Sequence, residues 1–316
     1  MDVFKPMSDM INRLRNLVLF AMLLSGYTIQ AQQDPQYTQY LYNMNLINPA
    51  YAGSYEAMSV NFLGRAQWLG IEGSPRSIMV NLHTPIAKRL GLGVSVIADK
   101  IGPLNEQLAT VDFSYTIPVS ETANLAFGLK GGISFANASL QFLNTVNGND
   151  DAFANQLNRV LPNVGAGFYY YAKRFYVGAS VPNLLQTLHF DRNDGQITNA
   201  SDKLHYFFTT GYVFDLTRTI KFKPGTLVKA VSGAPLSIDF SGNFLFHERF
   251  EIGVNYRLDE SVSALFNVRA TDNLRIGYAY DYTLTNLGDF NSGSHEIFVL
   301  FDFNFIRDNI KSPRFF

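Results

Sequence analysis

The chain of 316 residues has no cysteine at all. That excludes disulfides, thiol nucleophiles and cysteine-held metal or cluster sites, and it fits passage through an oxidising periplasm. Charge is scarce too: Asp, Glu, Lys and Arg make up 16%, where a soluble domain carries about 25%. The formal net charge is −1, so nothing draws the chain to nucleic acid. Its five histidines are scattered, and no Ser-His-Asp arrangement can be nominated. Phosphate loops, zinc-protease motifs and calcium loops are missing, so the reading is of a non-enzyme without cofactor. Beyond the N-terminus no window nears 18 unbroken apolar residues, which argues against a helical membrane protein.

What is present points elsewhere. Hydrophobic residues reach 47% and aromatics 14%, with 27 Phe and 17 Tyr, yet mean hydropathy is near zero. A transmembrane β-barrel has that balance, since one strand face meets lipid and the other a polar lumen. Arg13 and Arg15 precede the apolar run Leu17–Leu24. Ser25, Gly26 and Ala31 follow, the layout of a secretory signal peptide cut after Ala31. Ile29 is an imperfect residue for the −3 position. No cysteine follows, so a lipoprotein is excluded. We expect residues 1–31 to be the signal, 32–55 a periplasmic or plug segment, 56–305 the barrel and 306–316 a tail.

Strict alternation recurs along the mature chain. In Glu251-Ile252-Gly253-Val254-Asn255-Tyr256-Arg257 the apolar residues share one face. Thr110–Ile117 and Asn273–Tyr280 repeat the pattern, and Ile297, Val299, Phe301, Phe303 and Phe305 share a face near the end. The second face holds Gly, Ala, Ser and Asn with little charge, as a crowded lumen would. It shows few paired Arg and Asp, which disfavours a porin. About 14 strands result, giving an all-β antiparallel outer-membrane barrel with outward faces against outer-membrane lipid and both termini in the periplasm. The three long connections, from Gln141, Asn183 and Tyr282 onward, all fall on one side, as outer loops do.

Two segments do not read as wall. Asp34-Pro35-Gln36-Tyr37-Thr38-Gln39-Tyr40 runs on to Asn48-Pro49-Ala50-Tyr51-Ala52-Gly53. Tyr37, Leu41 and Met44 fit one helical face, and Asn48-Pro49 is a turn signal. This is either a plug against the lumen or a leader closing the barrel floor. The tail ends at Arg314 and Phe316, where Pro313 prevents extension of a sheet.

These motifs resemble the PorP/SprF family of the Bacteroidota type IX secretion system. The resemblance is carried by Asp34–Tyr40, Asn48–Gly53, Arg65-Ala66-Gln67-Trp68 with Gly73-Ser74-Pro75-Arg76, Gly277–Tyr282, Gly293–Ile297 and the closing Ser312–Phe316. It implies an outer-membrane barrel tied to secretion and surface display of proteins with a type B C-terminal domain, including gliding adhesins. It implies partners: a large secreted adhesin, a periplasmic peptidoglycan-binding lipoprotein and other type IX components. Candidate contact or structural residues are Asp34, Pro35, Gln36, Tyr37, Gln39, Tyr40, Asn48, Pro49, Arg65, Gln67, Trp68, Asp281, His295, Glu296, Arg314 and Phe316. Trp68 is an interfacial girdle residue or, with Arg65 and Gln67, a contact platform. Asp281 and the pair His295-Glu296 flank the late loop, as a metal or proton relay site or as a hydrogen-bonded lock between strands. Competing functions are a porin-like or hydrophobic-solute channel and a passive link between outer membrane and peptidoglycan.

Overall fold

The alternating segments fold as strands, and burial alternates along them. In Phe250–Arg257, Phe250, Ile252, Val254 and Tyr256 are 45, 52, 60 and 39% exposed, while Glu251, Gly253, Asn255 and Arg257 are buried. In water such a sheet would be inside out. Apolar side chains outward and charges inward suit a wall surrounded by hydrocarbon.

The computed structural model describes residues 37–55, 57–138, 157–185, 188–193, 196–201, 204–232 and 234–303. The barrel lies within the unit made of Asp34–Ser232 and Leu236–Phe316. Its wall strands are β1 (Met58–Ala66), β2 (Arg76–Ala87), β3 (Leu90–Ile101), β4 (Leu104–Ser120), β5 (Ala123–Ala138), β6 (Leu157–Ala172) and β7 (Phe175–Val181). They continue with β8 (His205–Tyr212), β9 (Ile220–Val231), β10 (Ser237–Phe246), β11 (Phe250–Arg257), β12 (Ser261–Arg269), β13 (Leu274–Thr283) and β14 (Ser294–Phe303). Each pairs antiparallel with its sequence neighbours, and β1 pairs with β14 from Met58↔Phe303 to Ala66↔His295. The ring of 14 strands is therefore closed, which removes the sheet edges that lipid could not satisfy.

An even number of strands brings the start of β1 and the end of β14 to the same rim. At that rim the turns are tight: Lys88-Arg89, Glu121-Thr122 and Lys173-Arg174. The opposite rim carries the connections spanning 139–156, 182–204 and 284–293. The second of these holds a hairpin of its own, Leu188–Asn193 paired with Gln196–Ser201, which the sequence pattern did not suggest. Strand β6 starts at Leu157, six residues before Asn163, where the sequence pattern predicts a strand over 163–171. Leu157–Pro162 lacks clean alternation but pairs in register with Ala138–Ile133 of β5.

Phe301 is 42% exposed on the outer face of β14. Phe301→Arg should lower the yield of folded barrel in bilayers, at a cost below the ~2–4 kcal/mol of a midplane Arg, because Phe301 is the third residue from the periplasmic end of β14 and the cost falls toward the interface. Unchanged insertion yield would mean that this face does not meet hydrocarbon.

The segment before β1 is not wall. It is three single turns: 3-10 Tyr40–Tyr42, α Met44–Ile47 and 3-10 Pro49–Tyr51. The expected single helical face is thus broken twice. Asn43 and Asn48 interrupt it, and Asn48 Oδ1 accepts from Ala50 N at 3.0 Å to cap the turn opened by Pro49. From Tyr37 to Ala52 every residue except Ile47 is buried. Their partners are the inward residues of the wall, so the segment is a plug and not a floor-closing strand.

Candidate functional site

The plug is held by ion pairs that strand parity turns inward. Near the long-loop rim, Arg65 of β1 lies opposite Glu296 of β14. Its guanidinium is 3.0 Å from Glu296 and 2.6 Å from Asp281 of β13. The plug completes the cluster. Thr38 N donates to Glu296 Oε2 at 3.0 Å, Gln39 N donates to Glu296 Oε1 at 2.8 Å, and the Thr38 hydroxyl donates to Asp281 at 2.7 Å. All three wall residues are buried. Two carboxylates share one guanidinium, and two plug amides with one hydroxyl offset the remaining negative charge.

Lower in the lumen, Arg275 of β13 pairs with Glu251 of β11 at 3.1 Å, and the Tyr42 hydroxyl donates to the same Glu251 carboxylate. Lys130 of β5 pairs with Asp112 of β4 at 2.8 Å and donates to the Asn45 carbonyl at 3.3 Å. Neutral groups fill in between. Asn61 donates to the Tyr42 carbonyl, Asn81 to Asn43 Oδ1, Ser180 to the Ile47 carbonyl, and Asn48 to the Phe168 carbonyl. Strands from around the barrel thus share one partner, the plug, through its backbone and its polar side chains.

Two glycines make room for it. A Cβ on Gly128 would lie 2.1 Å from Ala50 N, and one on Gly91 would lie 2.1 Å from the Ala52 carbonyl oxygen. Glycine here allows close approach of two backbones. Gly128→Leu should displace the Asn48–Tyr51 turn and lower the temperature at which the barrel loses its compact gel mobility, an overpacking cost of ~1–3 kcal/mol. Gly131→Leu is the control, since a Cβ there meets nothing within 4 Å. Equal shifts for both variants would detach the glycine argument from the plug.

Of the candidates read from sequence, Tyr37, Gln39, Tyr40, Asn48 and Pro49 are buried in the plug, and Arg65, Asp281 and Glu296 meet at its upper end. Gln67 lies over Arg65, its amide oxygen accepting from Arg65 Nε at 3.3 Å in the orientation that satisfies both groups. Trp68 has a left-handed φ of 47° and its N–H donates to Ser294 Oγ at 3.1 Å. With Arg65, Gln67, Arg257, Glu260 and Asp281 it lines a small cavity beside the latch that Arg65, Asp281 and Glu296 form with the plug. His295 does not join Glu296. Neighbours in a strand face opposite ways, and the His295 ring sits outside, 2.6 Å from the Tyr278 hydroxyl. Among the described residues, no three His, Asp or Glu side chains gather as metal ligands would. Asp34, Pro35, Gln36, Arg314 and Phe316, like the signal segment, lie outside the described residues.

Sequence reasoning missed Asp112, Lys130, Glu251 and Arg275, and it took the inward face to be poor in ion pairs. That reading is corrected: inward pairs also include Arg257 with Asp239 at 2.7 Å. The charges stand at inward parity in each strand, but their partners lie on other strands or further along the chain, so only register brings them together.

Residues 29–301 match the family model described as type IX secretion system membrane protein PorP/SprF. The chain belongs to that family. It is therefore an outer-membrane barrel of a secretion-system family in the Bacteroidota, and not an enzyme. No curated protein matches the chain significantly. Among solved structures it is similar to the Ralstonia pickettii toluene transporter TbuX, at 10% identity and TM-score 0.50, covering 82% of this chain and 92% of that one. It is also similar to the CymD monoaromatic hydrocarbon channel, at 11% identity and TM-score 0.46, covering 90% and 94%. The Acinetobacter baumannii outer membrane protein Omp33 follows at 9% and 0.44, covering 79% and 100%. At such identities the likeness is one of fold.

Proposed function

We propose that this PorP/SprF barrel works by binding protein: it receives, helps export or anchors a surface adhesin with a type B C-terminal domain, in concert with type IX components and a periplasmic peptidoglycan-binding lipoprotein. The observation that carries the reading is the plug. A diffusion channel needs a continuous lumen, whereas here Tyr37–Ala52 occupies it and is tied to the wall by buried ion pairs. A closed barrel offers its partners two rims. The outer one has the longer loops and the small cavity beside Trp68.

The test is a mild-detergent pull-down of the tagged protein from its native outer membrane, read by mass spectrometry. A large adhesin or its C-terminal domain should co-purify, with or without the lipoprotein. A barrel recovered alone under conditions that preserve other outer-membrane complexes would count against the proposal and turn attention to solute passage.

A further inference from the structure

The outward face of the wall is lined with exposed Phe, Tyr, Ile, Val and Leu. It is lower where β8 and β9 meet near the periplasmic rim. There Thr210 stands opposite Thr226, and Pro224 lies two residues nearer the rim on β9. Pro224 has no N–H to give the ladder. The pairing of this stretch with β9 runs from His205↔Val231 to Gly211↔Gly225, skips Tyr212 and Val213, and resumes at Phe214↔Phe222. Val213 N donates instead to the Arg174 carbonyl at 2.8 Å. Small outward side chains over an interrupted ladder leave a groove of about 540 Å³.

Aromatic rings flank the groove. Phe175, Tyr212, Phe214 and Phe240 line it and are 36, 38, 47 and 50% exposed. The Thr210 hydroxyl on its floor is already bonded, donating to the Tyr176 carbonyl at 3.0 Å. Four residues of extended chain separate Thr210 from Phe214, a length of ~13 Å. The result is an apolar slot in a face that meets hydrocarbon, so its occupant is hydrocarbon too. An acyl chain laid in the slot touches protein on several sides. One lying on the convex wall touches it on a single side, and dispersion contacts add up accordingly.

The rim beside the slot is basic. Phe175 follows the periplasmic turn Lys173-Arg174, and Phe214 precedes the turn Thr217-Arg218-Thr219. Asp215 is paired with Arg174 and Glu248 with Lys221. Lys173 and Arg218 are exposed and stand in no ion pair among the described residues. Positive charge next to an apolar slot matches a phosphate joined to an acyl chain. We propose that this groove binds one glycerophospholipid of the periplasmic leaflet, its acyl chain over Thr210, Pro224 and Thr226 and its phosphate at Lys173 and Arg218. The inference concerns the outer wall and stands apart from the plug and from the proposal of an adhesin client.

The test is native mass spectrometry of the barrel released from its own outer membrane in mild detergent, with heat-modifiable gel mobility confirming that each variant is folded. One phospholipid should stay bound to the intact barrel. Thr226→Phe, which fills the groove with an apolar ring, should lose it. Lys173→Glu combined with Arg218→Glu, which leaves the groove open, should lose it as well. Val254→Phe, on the outward face of β11, should keep it. An intact barrel with no bound lipid, or equal retention by Thr226→Phe and Val254→Phe, would overturn the proposal. Retention by the charge-reversed variant would overturn the placement of the phosphate. A bound lipid A would overturn the assignment to the periplasmic leaflet. A second barrel in place of lipid, lost in Thr226→Phe, would make the groove a contact between copies and overturn the lipid site.

Discussion

Arg65→Ala should loosen the upper half of the plug and destabilise the barrel more than any neutral substitution on its outer face. The change leaves Asp281 and Glu296 buried side by side without the guanidinium that pairs with both. Breaking a buried ion pair by removing one partner costs ~3–5 kcal/mol. The expected readout is a clear fall in the temperature at which the folded gel band is lost. Pairing Arg65→Ala with Asp281→Asn and Glu296→Gln should recover part of that fall, because the uncompensated charge goes with the carboxylates. Equal instability of the single and triple variants would show that Arg65 acts through packing and not through charge.

The second large effect concerns the plug itself. Deleting Asp34 through Asn48 should leave the 14 strands able to insert, because none of the described residues among them belongs to the wall ladder. It removes the partners of Glu296, of the Glu251–Arg275 pair and of Lys130. Water replaces them, so the barrel survives with a hydrated lumen. The variant should reach the outer membrane, conduct ions, and lose partner proteins in the pull-down. A variant missing from the outer-membrane fraction would make the segment a folding element of the wall.

The sequence carried the wall almost completely. Alternation in Glu251–Arg257 predicts the inward and outward sets that burial later shows, and 14 strands emerge in the expected order. Boundaries failed where alternation is irregular, as in Leu157–Pro162, because pairing with β5 extends β6 regardless of local pattern. The latch was half legible. Arg65, Asp281 and Glu296 stood out through family motifs, but nothing local distinguishes Glu296 as a plug ligand from its neighbour His295, which faces the other way. Their separation follows from strand parity and could have been read. The Lys130–Asp112 and Arg275–Glu251 pairs could not, since each depends on cross-strand register or on lumen geometry. The plug's path was also hidden: three short turns separated by Asn43 and Asn48 leave no periodicity for a pattern to catch.

Buried charge gives the plug specificity more than stability. Each pair is expensive to bury, and an apolar lumen of the same volume would hold a plug as firmly. The side-chain contacts instead fix one register, because sliding the plug by a residue would part the Thr38 hydroxyl from Asp281 and the Tyr42 hydroxyl from Glu251 at once.

Single-channel recording of the intact protein in a planar bilayer decides whether the lumen is closed. With the plug-deleted barrel conducting as a positive control, the intact protein should remain electrically silent. Steady conductance steps from intact protein, comparable with those of the deleted form, would contradict a closed, protein-binding barrel and favour a solute channel.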